Sequence, residues 1–231
     1  MTKPAWVCAA LVALVIVGCG GLQPVEPGQA LREAGASLAK LKTVHATLTF
    51  TKGTVSFQGY ALVSANASVR LPGESDTVYK VRQEDVQISL EVIITGGRVF
   101  LHPPFSGYTE LKGEDGAAVP DIAKLFDSTT GLAAVIPQGQ NPKYLGAEKV
   151  GDVDCHKVQA TYGANQVKGM LAQLSSAEDV AATIWIGGTD HLIRKAVLSG
   201  NFGDNGAPST VQVDLGGFDA IVAIASPKVT P

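Results

Sequence analysis

The sequence predicts an α+β fold: one large antiparallel sheet with a few helices packed on one face. Three observations carry this expectation. Apolar and polar residues alternate through residues 43–102, as in half-buried strands. The middle stretch, 119–135, switches to helical spacing. Alternation then returns between 144 and 218, broken by Gly- and Asp-rich turns. Strands, then helices, then strands is the order of a sheet that gathers its helices on one side.

The chain opens with Lys3 and an apolar run from Trp6 to Val17. About a dozen apolar residues suit the core of an export signal and are too few to span a bilayer. The run ends in Ile16-Val17-Gly18-Cys19, which resembles the lipobox of bacterial lipoproteins. A small residue, Gly18, lets a peptidase reach the bond, and the Cys19 thiol accepts a diacylglyceryl group. Residues 1–18 are therefore expected to be a signal peptide cleaved between Gly18 and Cys19. Lipid on Cys19 would hold the mature chain to the extracytoplasmic side of the cell membrane. Acyl chains bind at about 0.8 kcal/mol per buried methylene, so more than one gives a stable anchor. Residues 19–27 contain Gly and Pro and read as a short tether.

Glu26 to Lys42 reads as a helix, with Ala30, Leu31, Ala34, Leu38 and Leu41 near a 3.6 period. Thr43 opens the strands: Val44, Ala46, Leu48 and Phe50 alternate with His45, Thr47, Thr49 and Thr51, and Lys52-Gly53 turns. Val55, Phe57, Ala61 and Val63 continue on a second strand that bends at Gly59. Asn66 to Arg82 holds one or two further strands around Pro72-Gly73. Val86, Ile88, Leu90, Val92 and Ile94 give the clearest alternation, and Thr95-Gly96-Gly97 turns into Arg98–His102.

Pro103-Pro104 is expected to stop this first set of strands. Ile122, Leu125, Phe126, Leu132 and Val135 then fit two short helices separated at Asp127-Ser128. Tyr144–Val150 and Cys155–Thr161 form a hairpin around Gly151-Asp152, and Asn165–Leu174 reads as a short helix. Strands follow at Val180–Ile186, His191–Leu198 and Ser209–Phe218, and Ser226–Pro231 shows no period. A single domain over 28–225, with 226–231 as a tail, accounts for the whole pattern.

Composition excludes several function classes. The net charge is −3, so there is no basic face for nucleic acid. Aromatic residues make up 6%, too few for a row of base-stacking platforms. Of three cysteines, Cys8 lies in the leader and Cys19 at the cleavage site, so Cys155 is left without a disulfide partner. Cys155 and His156 are adjacent on a strand, point to opposite faces and form no reactive pair. There is no Gly-x-Ser-x-Gly elbow, no His-Glu-x-x-His and no phosphate-binding glycine loop. His45, His102, His156 and His191 are scattered, mostly at strand ends or on polar faces. Asp152-Val153-Asp154 and Asp204-Asn205-Gly206 lack the calcium-loop spacing and read as turns. Neither catalysis nor a metal or other cofactor is expected.

Several segments resemble the mycobacterial LppX/LprG lipoproteins. Leu38-Ala39-Lys40-Leu41-Lys42-Thr43-Val44-His45 is similar to that family's junction of helix and first strand. Asp127-Ser128-Thr129-Thr130-Gly131-Leu132-Ala133-Ala134-Val135 resembles its mid-chain Asp-x-Thr-Gly-Leu segment. Ala182-Thr183-Ile184-Trp185-Ile186, followed by Asp190-His191, resembles its Ala-Thr-Val-Trp-Ile strand and turn. The resemblance implies a curved sheet, a half-open barrel similar to the LolA and LolB carriers, with helices on the concave face enclosing an apolar cavity. It also implies an acylated ligand: a triacylated glycolipid, triacylglycerol or a related lipid, moved towards the outer envelope. A transporter in the same membrane is the partner it suggests. The stretch Pro72 to Gln83 is more polar than in the best-known members.

Alternation alone leaves two interiors open, one packed solid and one hollow, because both give the same binary pattern. The resemblance points to the hollow one. Tyr79, Val81, Leu90 and Val92 are the residues expected to touch the ligand. The rival readings are a lipid- or lipoprotein-sensing module of the same fold without transport, a structural lipoprotein with a filled core, and an envelope hydrolase, which labelling of a serine or Cys155 by an active-site-directed probe would support.

Overall fold

The computed structural model describes residues 22–57, 59–170 and 176–229. The Gly18-Cys19 cleavage and lipidation site and the end of the expected 165–174 helix lie outside them.

The leading helix, α1, spans Pro27–Leu38. Glu26 caps it by accepting from the amides of Gly28 and Gln29, and Pro27 occupies the first position, where its missing N–H costs nothing. Ala30, Leu31, Ala34, Gly35 and Leu38 form its buried stripe. The helix stops short of Lys42 because tight i→i+3 bonds close its end, Lys40 N to Ser37 O and Leu41 N to Leu38 O. Leu41 therefore enters the core from a turn.

Among the described residues twelve strands form one antiparallel sheet. The first half contains β1 (Thr43–Lys52), β2 (Ser56–Phe57), β3 (Tyr60–Arg70), β4 (Glu74–Gln83), β5 (Val86–Thr95), β6 (Arg98–His102) and β7 (Thr109–Leu111). The second half contains β8 (Gln140–Val150), β9 (Val153–Tyr162), β10 (Val180–Gly187), β11 (Ile193–Gly200) and β12 (Ser209–Gly216). Their order is β7-β6-β5-β4-β3-β1-β12-β11-β10-β9-β8, with β2 paired on β3. Each half is a meander, and the halves join where β1 pairs with β12. The sheet is curved and not closed, with β7 and β8 as its edges.

Two details differ from the sequence expectation. The strand expected to bend at Gly59 is two strands: Gly59, at φ +80°, turns β2 back onto β3, which runs on to Arg70. Pro103-Pro104 interrupts the sheet without ending it, because β7 returns to pair with β6. A proline pair removes donors from its own strand only; a later segment can still add at the edge.

Register carries one apolar row across the concave face. It runs through Val158, Ile184, Ala196, Val213, Leu48, Ala65, Tyr79 and Leu90, each opposite the next. The helical elements cover this face. They are the 3-10 turn Ile122–Phe126, α3 (Leu132–Val135), the 3-10 turn Ile136–Gln138, and α4 (Ala164–Met170). A further short helix, α2 (Gly113–Ala117), follows β7 and buries no side chain. α1 packs on α3, on Ile136–Gln138 and on β8 and β9, while Ile122–Phe126 packs on β3 and β4. On the convex face a second small cluster joins Ile93 and Phe100 to Ile224 of the C-terminal segment, and Val229 bridges to Tyr108.

Candidate ligand-binding site

The helical middle of the chain is fastened to the sheet by two buried tyrosines, one from each half. Tyr79 of β4 donates its hydroxyl to the Pro120 carbonyl at 2.6 Å. Tyr162 of β9 donates to the Ile136 carbonyl at 3.0 Å. Burial pushes both phenols well above their ordinary range, with the Asp121 charge adding to the effect at Tyr79. Both therefore keep their protons, and their role as donors, at any physiological pH.

Between the helices and the second half of the sheet lies a wholly apolar void of about 30 Å³. Its roof is Leu132, Val135, Ile136, Val167 and Met170; its floor is Tyr162, Ala182, Ile184, Ala196 and Leu198. The alanines leave this room, because their strand positions face inward without filling the space. A ligand pocket holds roughly 300–1,000 Å³, so this void is about tenfold too small for an acyl tail. The expected interior is present in kind, apolar and between sheet and helices, but in this conformation its own side chains fill it.

A larger recess, about 320 Å³, opens at one end of the sheet. Leu41, Leu71, Pro72, Ala123 and Phe126 give it apolar walls, and Lys42, Lys124 and Asp127 stand on it. Leu41, Ala123 and Phe126 also belong to the main core, so the recess reaches the interior packing. Its wall is held by Asp127, whose Oδ1 accepts from the amides and hydroxyls of Thr129 and Thr130 at 2.6–3.0 Å. These bonds hold the Asp127 carboxyl far below the usual carboxylate range. The described chain starts at this same end: Leu22 lies against Gly188, in the β10–β11 turn. At the opposite end a groove of about 700 Å³ runs between β5 and the Pro103–Phe105 loop, with Val86 and Phe105 exposed beside it.

Tyr79, Val81, Leu90 and Val92 are all buried, in the first half of the sheet. Tyr79 pairs with Leu90 across β4 and β5, and Val92 with Thr77. The turn Ile122–Phe126 covers this region, and none of the four lines the void or the recess. The residues sequence reasoning missed are Ala182, Ala196 and Leu198 below the void, and Lys42, Leu71 and Lys124 at the recess. Alanine at inward positions of β10 and β11 was the legible signal for the void. Nothing local marked the recess, which forms from three distant segments.

Among the described residues no cluster of three His, Cys, Asp or Glu side chains stands together as a metal site, and no helix is long and apolar enough to cross a membrane. Cys155 is buried, and burial pushes its thiol up. His156 departs from the expectation of a polar-face histidine: it is 5% exposed, points inward beside Tyr144, and its Nδ1 has no hydrogen-bond partner among the described residues. Burial pushes the imidazole below its ordinary value, His191 adds to this, and Glu33 opposes it. The unfolded chain therefore binds the proton better than the folded one. Stability should be intact above about pH 6.5 and fall as the pH drops below it. Melting curves at about pH 7.5 and 5 test this: His156→Gln should flatten the difference, and an unchanged slope would assign it to other groups.

Several known proteins share this architecture. The crystal structure of LprF from Mycobacterium bovis superposes with a TM-score of 0.72 at 22% identity, covering 90% of this chain and 99% of that one. The crystal structure of lipoprotein LppX from Mycobacterium tuberculosis gives 0.62 at 18% identity, covering 86% and 97%. In sequence, the "Putative diacylated glycolipid transporter LprF" of Mycobacterium bovis is 24% identical over 203 residues, 78% of this chain and 73% of that protein. The "Lipoarabinomannan carrier protein LprG" of Mycolicibacterium hassiacum is 29% identical over 112 residues, 48% of this chain and 46% of that protein, so the match spans about half of it. The family profile described as LppX_LprAFG lipoprotein matches residues 26–224, nearly the whole of the described fold, and the chain belongs to that family.

Proposed function

We propose that this protein is a membrane-tethered carrier that takes up acylated lipids or glycolipids, shields their tails, and passes them towards the outer envelope. The observation that carries the reading is the continuous apolar concave face under a helical layer held by two tyrosine hydroxyls. The relatives named as carriers of lipoarabinomannan and of a diacylated glycolipid support the ligand class. In this reading Cys19 carries the anchor and residues 28–225 the ligand. Tyr79, Val81, Leu90 and Val92 join Ala182 and Ala196 as tail contacts once the layer lifts.

The energies allow it. Losing a buried hydrogen bond costs about 1–3 kcal/mol. A tail crossing water bare would cost about 0.8 kcal/mol per methylene, so enclosing a handful of methylenes during transfer outweighs the loss of both tyrosine bonds. In this reading Leu132, Val135, Ile136, Val167 and Met170 of the helical layer give way, and a tail takes their place against the sheet.

The test is native mass spectrometry of the protein extracted from its own envelope, followed by transfer assays between vesicles. Stoichiometric lipid with protein-dependent transfer is the expected result. Bound lipid without transfer would favour the sensing module. Protein that comes out empty and takes up no lipid would defeat the carrier reading.

A further inference from the structure

We infer that Ser75 and Thr77 form a polar subsite inside the apolar interior, where their hydroxyls donate to an ester carbonyl of the ligand and so set how deep its acyl chains lie. This rests on the carrier reading and adds to it the linkage by which the ligand is recognised.

Ser75, Thr77, Tyr79 and Val81 share the inward face of β4. Ser75 is 0% exposed and Thr77 1%. Their hydroxyl oxygens are shielded from solvent and complete no hydrogen bond among the described residues, although the Tyr79 phenol stands near enough to Thr77 to feel it. A buried hydroxyl without a partner is costly, and two at successive inward positions of one strand call for a cause. Alanine and valine would hold the same packing with no polar atom to satisfy.

The space beside them suits a chain. Thr77 lies opposite Ala67 of β3, and Ala67 opposite Ala46 of β1, so short side chains form a row across the concave face. Both alanines are buried. Ser75 follows closely on the Leu71-Pro72-Gly73 turn that walls the recess. A carbonyl held at Ser75 and Thr77 would leave the head towards that opening and the chains along the alanines.

Charge at this spot selects the kind of acceptor. Asp121 caps the Ile122–Phe126 turn, accepting from the Ala123 amide at 3.0 Å, and its charge disfavours an anion at the Tyr79 phenol. A carboxylate or phosphate beside these hydroxyls is disfavoured in the same way, and a neutral carbonyl fits them. In the closed conformation the two donors go unused. An ester satisfies them only when it is bound, so its bonds favour the loaded state alone. A site built around donors rejects an analogue that lacks the acceptor, and an ether-linked chain has no carbonyl.

The experiment titrates the delipidated mature protein with a diacylglycerol and with the dialkylglycerol ether of the same chain length. The ester should bind about tenfold tighter, the worth of a buried hydrogen bond. The double variant Ser75→Ala/Thr77→Val should bring the two affinities together. Its melting temperature should hold or rise, because an apolar group of like shape replaces an unsatisfied hydroxyl. Infrared spectra of a diacylglycerol isotope-labelled at its carbonyls read the contact directly: the stretching band should fall on binding to the unaltered protein and shift less with the variant. Equal affinity for ester and ether, a preference that survives in the variant, or a band that does not move overturns the inference and leaves the carrier reading standing. A variant that melts far lower would assign the hydroxyls to the closed structure and overturn it too. If neither lipid binds, the carrier reading falls and the subsite with it.

Discussion

Replacing both fastening tyrosines, Tyr79→Phe with Tyr162→Phe, should loosen the helical layer and speed lipid exchange. Each change keeps the ring and deletes one hydroxyl, so no cavity forms. It leaves a buried carbonyl, Pro120 O or Ile136 O, without that donor. Such a loss costs about 1–3 kcal/mol at each site. The two sites lie on different halves of the sheet and share no partner, so their effects should add to about 2–6 kcal/mol. The expected signs are opposite for stability and function. Thermal unfolding moves down, while uptake and release of a labelled lipid become faster because the closed state is less favoured. Hydrogen exchange localises the effect: the amides of Ala134 and Val135, both bonded to Gly131 O at 3.1 Å, should lose protection first. Lower stability with unchanged exchange of lipid would mean that the layer does not gate the interior.

Gly131→Ala should destabilise the protein by about 3 kcal/mol, at the upper end of ordinary overpacking, because the atoms in its way are backbone. A Cβ there would stand 2.5 Å from Leu125 O, 2.6 Å from Asp127 O and 2.8 Å from Asp127 N. None of these can swing aside as a side-chain tip can. The same loop is already drawn tight by Asp127 and by the Gly131 amide, which donates to Asp127 O at 2.9 Å. For a domain of this size the change corresponds to a fall of about 6–12 °C in melting temperature. Gly169→Ala in α4 is the control, since nothing lies within 4 Å of its added Cβ. It should be neutral or raise stability by up to about 1 kcal/mol, the ordinary helix preference for Ala over Gly. Scanning calorimetry on both variants decides the matter; similar melting temperatures would show that the loop yields.

This loop also explains one piece of the sequence resemblance. Asp127, Thr129, Thr130 and Gly131 were legible as a motif, and the structure supplies the cause: a carboxylate that collects the threonine donors and a glycine where backbone crosses backbone. The leading helix was legible in the same direct way, through Ala30, Leu31, Ala34 and Leu38 near a 3.6 period. Its final turn was not, because Leu41 keeps the period while the backbone has already left the helix. β7 escaped notice because three residues are too few to show alternation.

The sequence by itself determined that two strand sets flank a helical middle, that the chain is patterned for one apolar face and, on most strands, which residues face inward. It did so because side-chain direction alternates locally and needs no knowledge of neighbours. On β3 the structure buries Leu62 where Ala61 and Val63 were expected, and on β9 it turns His156 inward. Only the tertiary structure decided that β1 pairs with β12, that Lys42 and Lys124 line one recess, and that Tyr79 and Tyr162 hold the same layer from opposite halves. It also decided how much space remains inside. Pairing between distant strands and the volume left between them depend on side-chain shapes meeting across the core, and a pattern of apolar and polar letters carries neither.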